Sequence, residues 1–471
     1  MNKNRMKLPL FDDYWIDFRF NTIRRWFAPE PYSMAPAGAY SSMVYDPERN
    51  VYRIYYEVMS DKNDGDVRQL KMVESTDLKN FTQVQNRDGS DVIYFGESGV
   101  HGASVLYDSH DQDSSRRYKF CGMTGIASAR TLGRWAVKVE IACSPDGIHF
   151  ENRHDMIAHP YFSDTQNRLM YNPLESEYCL FHRSGRGDRR VLMSTSKDLK
   201  HWNEPRLILQ PGPNYNNEYN GMQHYSFSAH YMDGIFYGLL WRYNTCLYDM
   251  DFTRMFGYME PELVYSYDGR EYLYTSGRPL MERPLPPEPG CAGLAPCDMC
   301  ESTDGQSYYI LCAGSAAPHC PEEYKGDLPE EALGKTTKTG NPIYKIRKDA
   351  FCGIESVGPG GKVITKPMEL LEDDLTFNLR ANNGYVRFGL MHADGSFLEG
   401  FSFDDCVPFV YGDSIEVRPC WKEHTLKEAL HRQVRVAIEL NTAILHCISA
   451  TARPRLVHPQ KSFADPTGPE G

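Results

Sequence analysis

The side chains best suited to chemistry in this 471-residue chain are carboxylates and cations lying far apart along it. Asp164 opens a polar burst, Asp164-Thr165-Gln166-Asn167-Arg168, just before an apolar run. Glu218 sits in Asn217-Glu218-Tyr219-Asn220, with Tyr215, Tyr219 and Tyr225 nearby. Aromatic packing disfavours the ionised form of such a Glu and raises its pKa, as a general acid needs. Asp298 lies in Cys297-Asp298-Met299-Cys300, and His101, His224 and His319 punctuate other segments. A neutral acid beside an ionised carboxylate is the equipment of proton-transfer catalysis. It works only if the fold brings these groups together.

The elements that would do so recur at a spacing of about 60 residues. Tyr45-Asp46-Pro47 leads into Val51-Tyr52-Arg53-Ile54-Tyr55-Tyr56, and comparable turns open aromatic runs at Tyr107-Asp108, Tyr171-Asn172-Pro173, Asp233-Gly234 and Asp304-Gly305. Asp or Asn before Pro or Gly between alternating aromatics is hairpin chemistry. A second turn closes four of the units: Ser75-Thr76-Asp77-Leu78, Ser144-Pro145-Asp146-Gly147, Ser196-Lys197-Asp198-Leu199 and Ser266-Tyr267-Asp268-Gly269. Each is followed by an aromatic residue three positions on: Phe81, Phe150, Trp202 and Tyr272. The Asp can accept backbone N–H bonds there. Two hairpins per unit make four strands, and five such units make a five-bladed β-propeller. The fifth lacks a clean second turn, and an insertion between His319 and Ile343 accounts for its displacement.

Counting back about eight strand residues from each turn marks the axial end of the innermost strands. That register places His101, Asp164, Glu218, His224 with Tyr225, and Asp298 around one axis. Arg183 and His319 end second strands and point at the same region, while Arg24 and Trp26 precede the first blade as a binding arm and stacking platform.

Beyond Ile354, short alternating runs such as Leu375–Leu379, Tyr385–Leu390 and Val434–Leu440 are parted by Asn-Gly and Asp-Gly turns, a β-sandwich pattern. The expected organisation is all-β: a propeller over 1–353 with 1–36 leading in, a sandwich over 354–455, and a polar, disordered tail over 456–471. Net charge of −12 argues against a nucleic-acid partner. No signal peptide or membrane span is visible, and thirteen Cys form no disulfide framework, which together suggest a reduced, cytoplasmic protein unless a leader has been removed. The Cys291–Cys352 group, with Cys297-x-x-Cys300 and His319 nearby, lacks a second Cys-x-x-Cys, so no metal is expected. A homodimer through the sandwich face stays open.

Five blades with Ser-x-Asp-Leu-x-x-Trp-type turns and a following sandwich resemble the β-propeller glycoside hydrolases, which include invertase and levanase-like and arabinanase/β-xylosidase enzymes. The resemblance implies a carbohydrate substrate, no cofactor, and three axial carboxylates. By position, Asp164 would stabilise the oxocarbenium-like state, Glu218 would be the general acid, and Asp298 the base or nucleophile. His101, Arg183, His224, Tyr225, His319, Arg24 and Trp26 would bind substrate. The chain departs from the pattern in offering no Asp at the start of the first inner strand, Ala39-Tyr40-Ser41-Ser42. Hydrolysis of a furanoside, a fructoside or arabinoside, is the leading expectation. A glycoside phosphorylase and a non-catalytic carbohydrate-binding propeller stay open beside it.

Overall fold

A computed structural model describes residues 4–60, 67–126, 137–183, 189–211, 220–246, 257–319 and 338–454. The chain is all-β and falls into two compact units, 28–232 with 236–346, and 1–27 with 233–235 and 347–471.

The larger unit is five antiparallel meanders. Their innermost strands are Ala39–Asp46, Val100–Tyr107, Arg168–Asn172, Asn220–Tyr231 and Gly293–Glu301. Each lies beside the next, and the fifth lies beside the first, which closes a ring. The fourth strand of the fifth meander is Glu30–Ala35, which pairs with Asn341–Arg347. An early segment therefore supplies the strand that the fifth repeat lacks in sequence. Apolar faces pack between successive repeats: Val44, Val105 and Phe120 between the first two, and Phe181, Phe227 and Leu240 between the third and fourth.

The repeated turns hold as their chemistry dictates. Asp77, Asp146, Asp198 and Asp268 each accept the backbone N–H groups two and three residues on, at 2.7–3.0 Å. The residue after each Asp is left-handed, with φ of 57° at Leu78, 73° at Gly147, 66° at Leu199 and 73° at Gly269. The Leu/Gly alternation follows from that constraint. Glycine adopts the conformation freely, whereas both leucines are buried, so packing offsets the strain.

Near the axis the inner strands are irregular. Their pairing with the second strand shifts register between Ala39 and Ser42, His101 and Ser104, His224 and Ser226, and Pro296 and Asp298. Such bulges re-aim side chains.

The smaller unit is two antiparallel layers. One contains Thr22–Trp26, Cys352–Ser356, Ile444–Pro454 and Thr376–Arg380; the other contains Ile16–Phe20, Gly361–Thr365, Gln433–Asn441 and Tyr385–Met391. Met368–Leu370 pairs with both, and Phe377 stacks on Phe388 at 4.3 Å between the layers. Residues 1–27, expected to lead into the propeller, instead give this unit three strands, and its C-terminal part begins at Arg347 rather than 354. Their hydrogen-bond partners lie more than 300 residues away, out of reach of any local pattern. The tail expected to be disordered lies outside the described residues. No described helix is long and apolar enough to cross a membrane.

A Cβ added at Gly147 would lie 2.5 Å from the Arg53 guanidinium and the Tyr55 hydroxyl, which bind the carbonyls of Asp146 and Gly147. At Gly89, also left-handed, a Cβ would meet nothing within 4 Å. Thermal denaturation should find Gly89→Ala lowered by strain alone, about 1–2 kcal/mol. Gly147→Ala should lose a further 1–3 kcal/mol or so from overlap. Equal losses would refute the packing role of this turn.

Candidate functional site

Polar groups concentrate at the axial end of the ring, where the bulges turn side chains inward. Asp164, on the loop before the third inner strand, is held from two sides. Oδ1 meets His101 Nε2 at 3.1 Å, and Oδ2 meets an Arg183 Nη at 3.1 Å. Its side chain keeps 36 % exposure. Burial acts to raise its pKa, but the hydrogen bond from His101 and the charge of Arg183 outweigh it and hold the carboxyl well below the usual range. Asp164 is therefore an ionised carboxylate open to a ligand.

Behind it stands Glu57, 1 % exposed, at the end of the second strand of the first repeat. Its Oε1 accepts the Ala103 N–H at 2.6 Å; Oε2 lies 3.6 Å from Arg68 and 3.8 Å from His101 Nδ1. Burial pushes its pKa up against the pull of His101 and Arg68. His101 thus links a sealed carboxyl to an open one, its ring edge on Tyr40 at 5.0 Å.

Beside this group is a cavity of about 430 Å³. Tyr40, Trp241 and Tyr225 form one wall, with Trp241 stacked near-parallel to both tyrosines at 5.8 and 5.9 Å. The Trp241 indole N–H donates to the Pro296 carbonyl at 2.7 Å, which fixes the ring. Arg68, His319 and Asn341 supply polar lining, and small residues of the fifth repeat, among them Ala295, Ala313 and Gly314, complete it. His319 is anchored by Tyr243 Oη at 3.1 Å from Nδ1 and Tyr225 Oη at 3.4 Å from Nε2.

The structure thus brings His101, Asp164, Arg183, Tyr225 and His319 together. It does not do so for the rest. Asp298 is 0 % exposed and accepts four bonds: two from Arg168 at 2.6 and 2.7 Å, one from the Met43 N–H at 2.8 Å and one from the Met299 N–H at 2.9 Å. With its acceptor sites filled and no solvent face, it cannot activate water; its expected role as base is replaced by a structural one. His224 is buried beside Tyr274 at 3.3 Å, and the bulge after it turns Tyr225 to the cavity instead. Arg24 and Trp26 belong to the two-layer unit, where Arg24 binds Asp13 and the Leu10 carbonyl and Trp26 stacks on Phe11. Neither is part of the cavity lining. Glu218 lies outside the described residues.

Sequence reasoning missed Glu57, Arg68, Tyr40, Trp241 and Arg189. A usable signal existed for Glu57. It is a charge late in an aromatic second strand, as Arg242 is in the fourth repeat, while Arg183 directly follows its own. The thiols of Cys297 and Cys300 donate to the Ala295 and Met43 carbonyls, and burial pushes the Cys297 pKa up to about 12, the behaviour of packing residues.

No family model and no curated protein matches the chain. Among solved structures, an N-acetylgalactosamine deacetylase from F. plautii, in complex with blood group B trisaccharide, aligns at 12 % identity and TM-score 0.44, over 70 % of this chain and 95 % of that one. A thermostable family-43 glycoside hydrolase gives 12 % and 0.43, over 67 % and 92 %. A family 43 arabinoxylan arabinofuranohydrolase from Bacillus subtilis gives 10 % and 0.38, over 89 % and 96 %. At these values, what the chain does rests on its own residues.

Two measurements check the carboxyl assignments. Asp298→Asn strands the buried Arg168 charge and should cost about 3–5 kcal/mol in denaturant melts. A variant of unchanged stability would restore Asp298 as a catalytic candidate. Glu262, fully buried on Gly257–Ser266 with neither oxygen hydrogen-bonded, is pushed up to about 7 by burial. Because the folded state holds that proton above the unfolded value of 4.5, stability falls as pH rises from about 4.5 through about 7. The loss should reach about 3 kcal/mol by pH 8, and Glu262→Gln should remove that slope.

Proposed function

We propose that the chain cleaves glycosidic bonds at the cavity beside Asp164. The observation that carries this reading is the Asp164 carboxylate itself, kept ionised by His101 and Arg183 while still open to a ligand. A fixed negative charge there would hold a ring hydroxyl and stabilise the positive charge that develops as the bond breaks. The wall of Tyr40, Trp241 and Tyr225 offers apolar faces to the C–H surface of a sugar, and a cavity of about 430 Å³ is in the range of small-ligand sites. Glu218 remains the proposed proton donor to the leaving oxygen. A furanoside, fructoside or arabinoside, is the substrate class proposed first, because the repeat and turn pattern resembles enzymes of that kind.

A second reading is supported by the balance of charge. Among the described residues no carboxylate lines the cavity, and Asp298 is unavailable as a base, whereas Arg68, Arg183 and Arg189 gather around Tyr40 and Tyr225. Phosphate attacking in place of an activated water would suit that balance, making the enzyme a glycoside phosphorylase.

Chromophore release from aryl furanosides and pyranosides, with and without phosphate, tests both. Turnover should fall at least about 100-fold in Asp164→Asn, with melting still cooperative. Dependence on phosphate would select the second reading. Turnover unchanged in Asp164→Asn would sink the site assignment.

A further inference from the structure

Two arginines of the third repeat face one aromatic ring. The Arg183 guanidinium lies over Tyr225 at 5.0 Å and that of Arg189 at 5.4 Å, and Arg189 also covers Tyr243 at 5.1 Å. Like charges held this close repel. Burial, and then the charge of Arg183, pull the Arg189 pKa below the ordinary arginine range.

The two are not equally compensated. Arg183 has Asp164 at 3.1 Å. Among the described residues Arg189 has no carboxylate at ion-pair distance; its Nη1 donates to the neutral Oε1 of Gln223 at 2.6 Å. Arg68, the third guanidinium nearby, is opposed by Glu57 at 3.6 Å. Among the described residues three guanidinium groups thus face two carboxylates, and the surplus sits at Arg189. Two donors also go unused. Nη1 of Arg183, a residue only 7 % exposed, and Nε of Arg189 are both buried without a hydrogen-bond partner among the described residues. Buried charged donors are seldom left unpaired, because their desolvation is not recovered. The opening to solvent is next door, at the half-exposed Asp164 carboxylate.

We propose that Arg183 and Arg189 form an oxyanion-binding subsite beside Asp164, filled by a carboxylate or phosphate group that enters with the sugar or next to it. The planar guanidinium fork suits both, since each presents two acceptor oxygens to paired N–H donors. Asp164 occupies one edge of Arg183 and leaves the other for the ligand. The same Asp164 charge bars anions from the sugar-ring position and confines them to the arginine side. The subsite rests on the glycoside reading for the sugar alone; the anion follows from the arginines. Two sources fit: a uronic acid unit within the substrate, or free inorganic phosphate as a second substrate.

Calorimetric titration of the full chain with inorganic phosphate, with glucuronate and with neutral galactose, at matched chloride, decides between them. At least one anion should bind saturably and more tightly than galactose. Phosphate alone marks a free co-substrate, and glucuronate alone marks a sugar-borne acid. Arg189→Gln should weaken that anion at least tenfold. Arg189→Lys, which keeps the charge but loses the fork, should weaken it at least threefold and decides the matter if the Gln variant does not fold. Absence of anion binding beyond chloride, or unchanged affinity in the folded variants, overturns the subsite. Turnover of neutral glycosides without anion binding would keep the glycoside reading and reject the subsite. Anion binding without turnover of any glycoside would do the reverse.

Discussion

The ring depends on one buried ion pair. Arg168, from the third repeat, meets Asp298 of the fifth with both nitrogens, at 2.6 and 2.7 Å, and the same carboxylate takes the Met43 N–H of the first. Ser42 Oγ of the first repeat accepts from Arg168 at 3.3 Å and from Val105 of the second at 3.1 Å, and His230 of the fourth stands 3.6 Å from Asp298. One pair therefore contacts, directly or through Ser42, all five repeats. Burial raises the Asp298 pKa, and the Arg168 charge opposes that rise, so the arrangement is tolerable only while both partners and the backbone donors stay in place. A ring of separate meanders has no continuous sheet across its axis. Polar contacts of fixed geometry fill that role here, and they bring the inner strands into one register.

That requirement shapes what remains for chemistry. Inner strands that must donate and accept across the axis carry Ser41, Ser42, Ser104, Ser226 and Ser228, and the loop before the third adds Gln166 and Asn167, all buried. Gln166 Nε2 reaches the Ser41 carbonyl at 2.8 Å, and Ser104 Oγ the Asn167 carbonyl at 2.6 Å. Next to these buried polar residues the bulged strand ends, at Tyr40, Tyr225 and Ala295, line the cavity. The site sits where the structural network stops.

The repeats were legible because their turns are local. Ser, Asp and a left-handed residue within four positions fix each turn without help from elsewhere, and the aromatic alternation between turns reports strands directly. Asp164 was legible for a related reason, since a polar burst before an apolar strand marks the strand's axial end, and His101 because its distance from the turn places it there. Asp298 and His224 were misplaced by the bulges at Pro296/Asp298 and His224/Ser226, because counting residues assumes a regular pleat and one extra residue reverses which side faces the cavity. The closing strand Glu30–Ala35 and the partners of residues 1–27 depend on pairings across some 300 residues, which no local pattern encodes. Glu57 and Arg189 sit near or beyond the ends of second strands, where the register counted back along innermost strands does not reach.

Four carboxyls of the larger unit show how the same group is assigned different work by its surroundings. Asp298 has four donors and no solvent, so it is fixed and structural. Glu262 has no donors and no solvent, so burial favours its neutral form. Glu57 has one backbone donor and two distant cations, an intermediate case that supports His101 from behind. Asp164 has a histidine, an arginine and an open edge, and of the four it alone combines a stable negative charge with room for a ligand. Residue type does not separate these cases, since Asp298 and Asp164 are both aspartates near one axis. The separation comes from how many donors reach each carboxyl and whether water does, and both are set by the bulges that end the inner strands. A ring built on a sealed Arg–Asp pair thus has to expose a second aspartate at its open end if its carboxylates are to act on anything, and Asp164 is where the described structure does so.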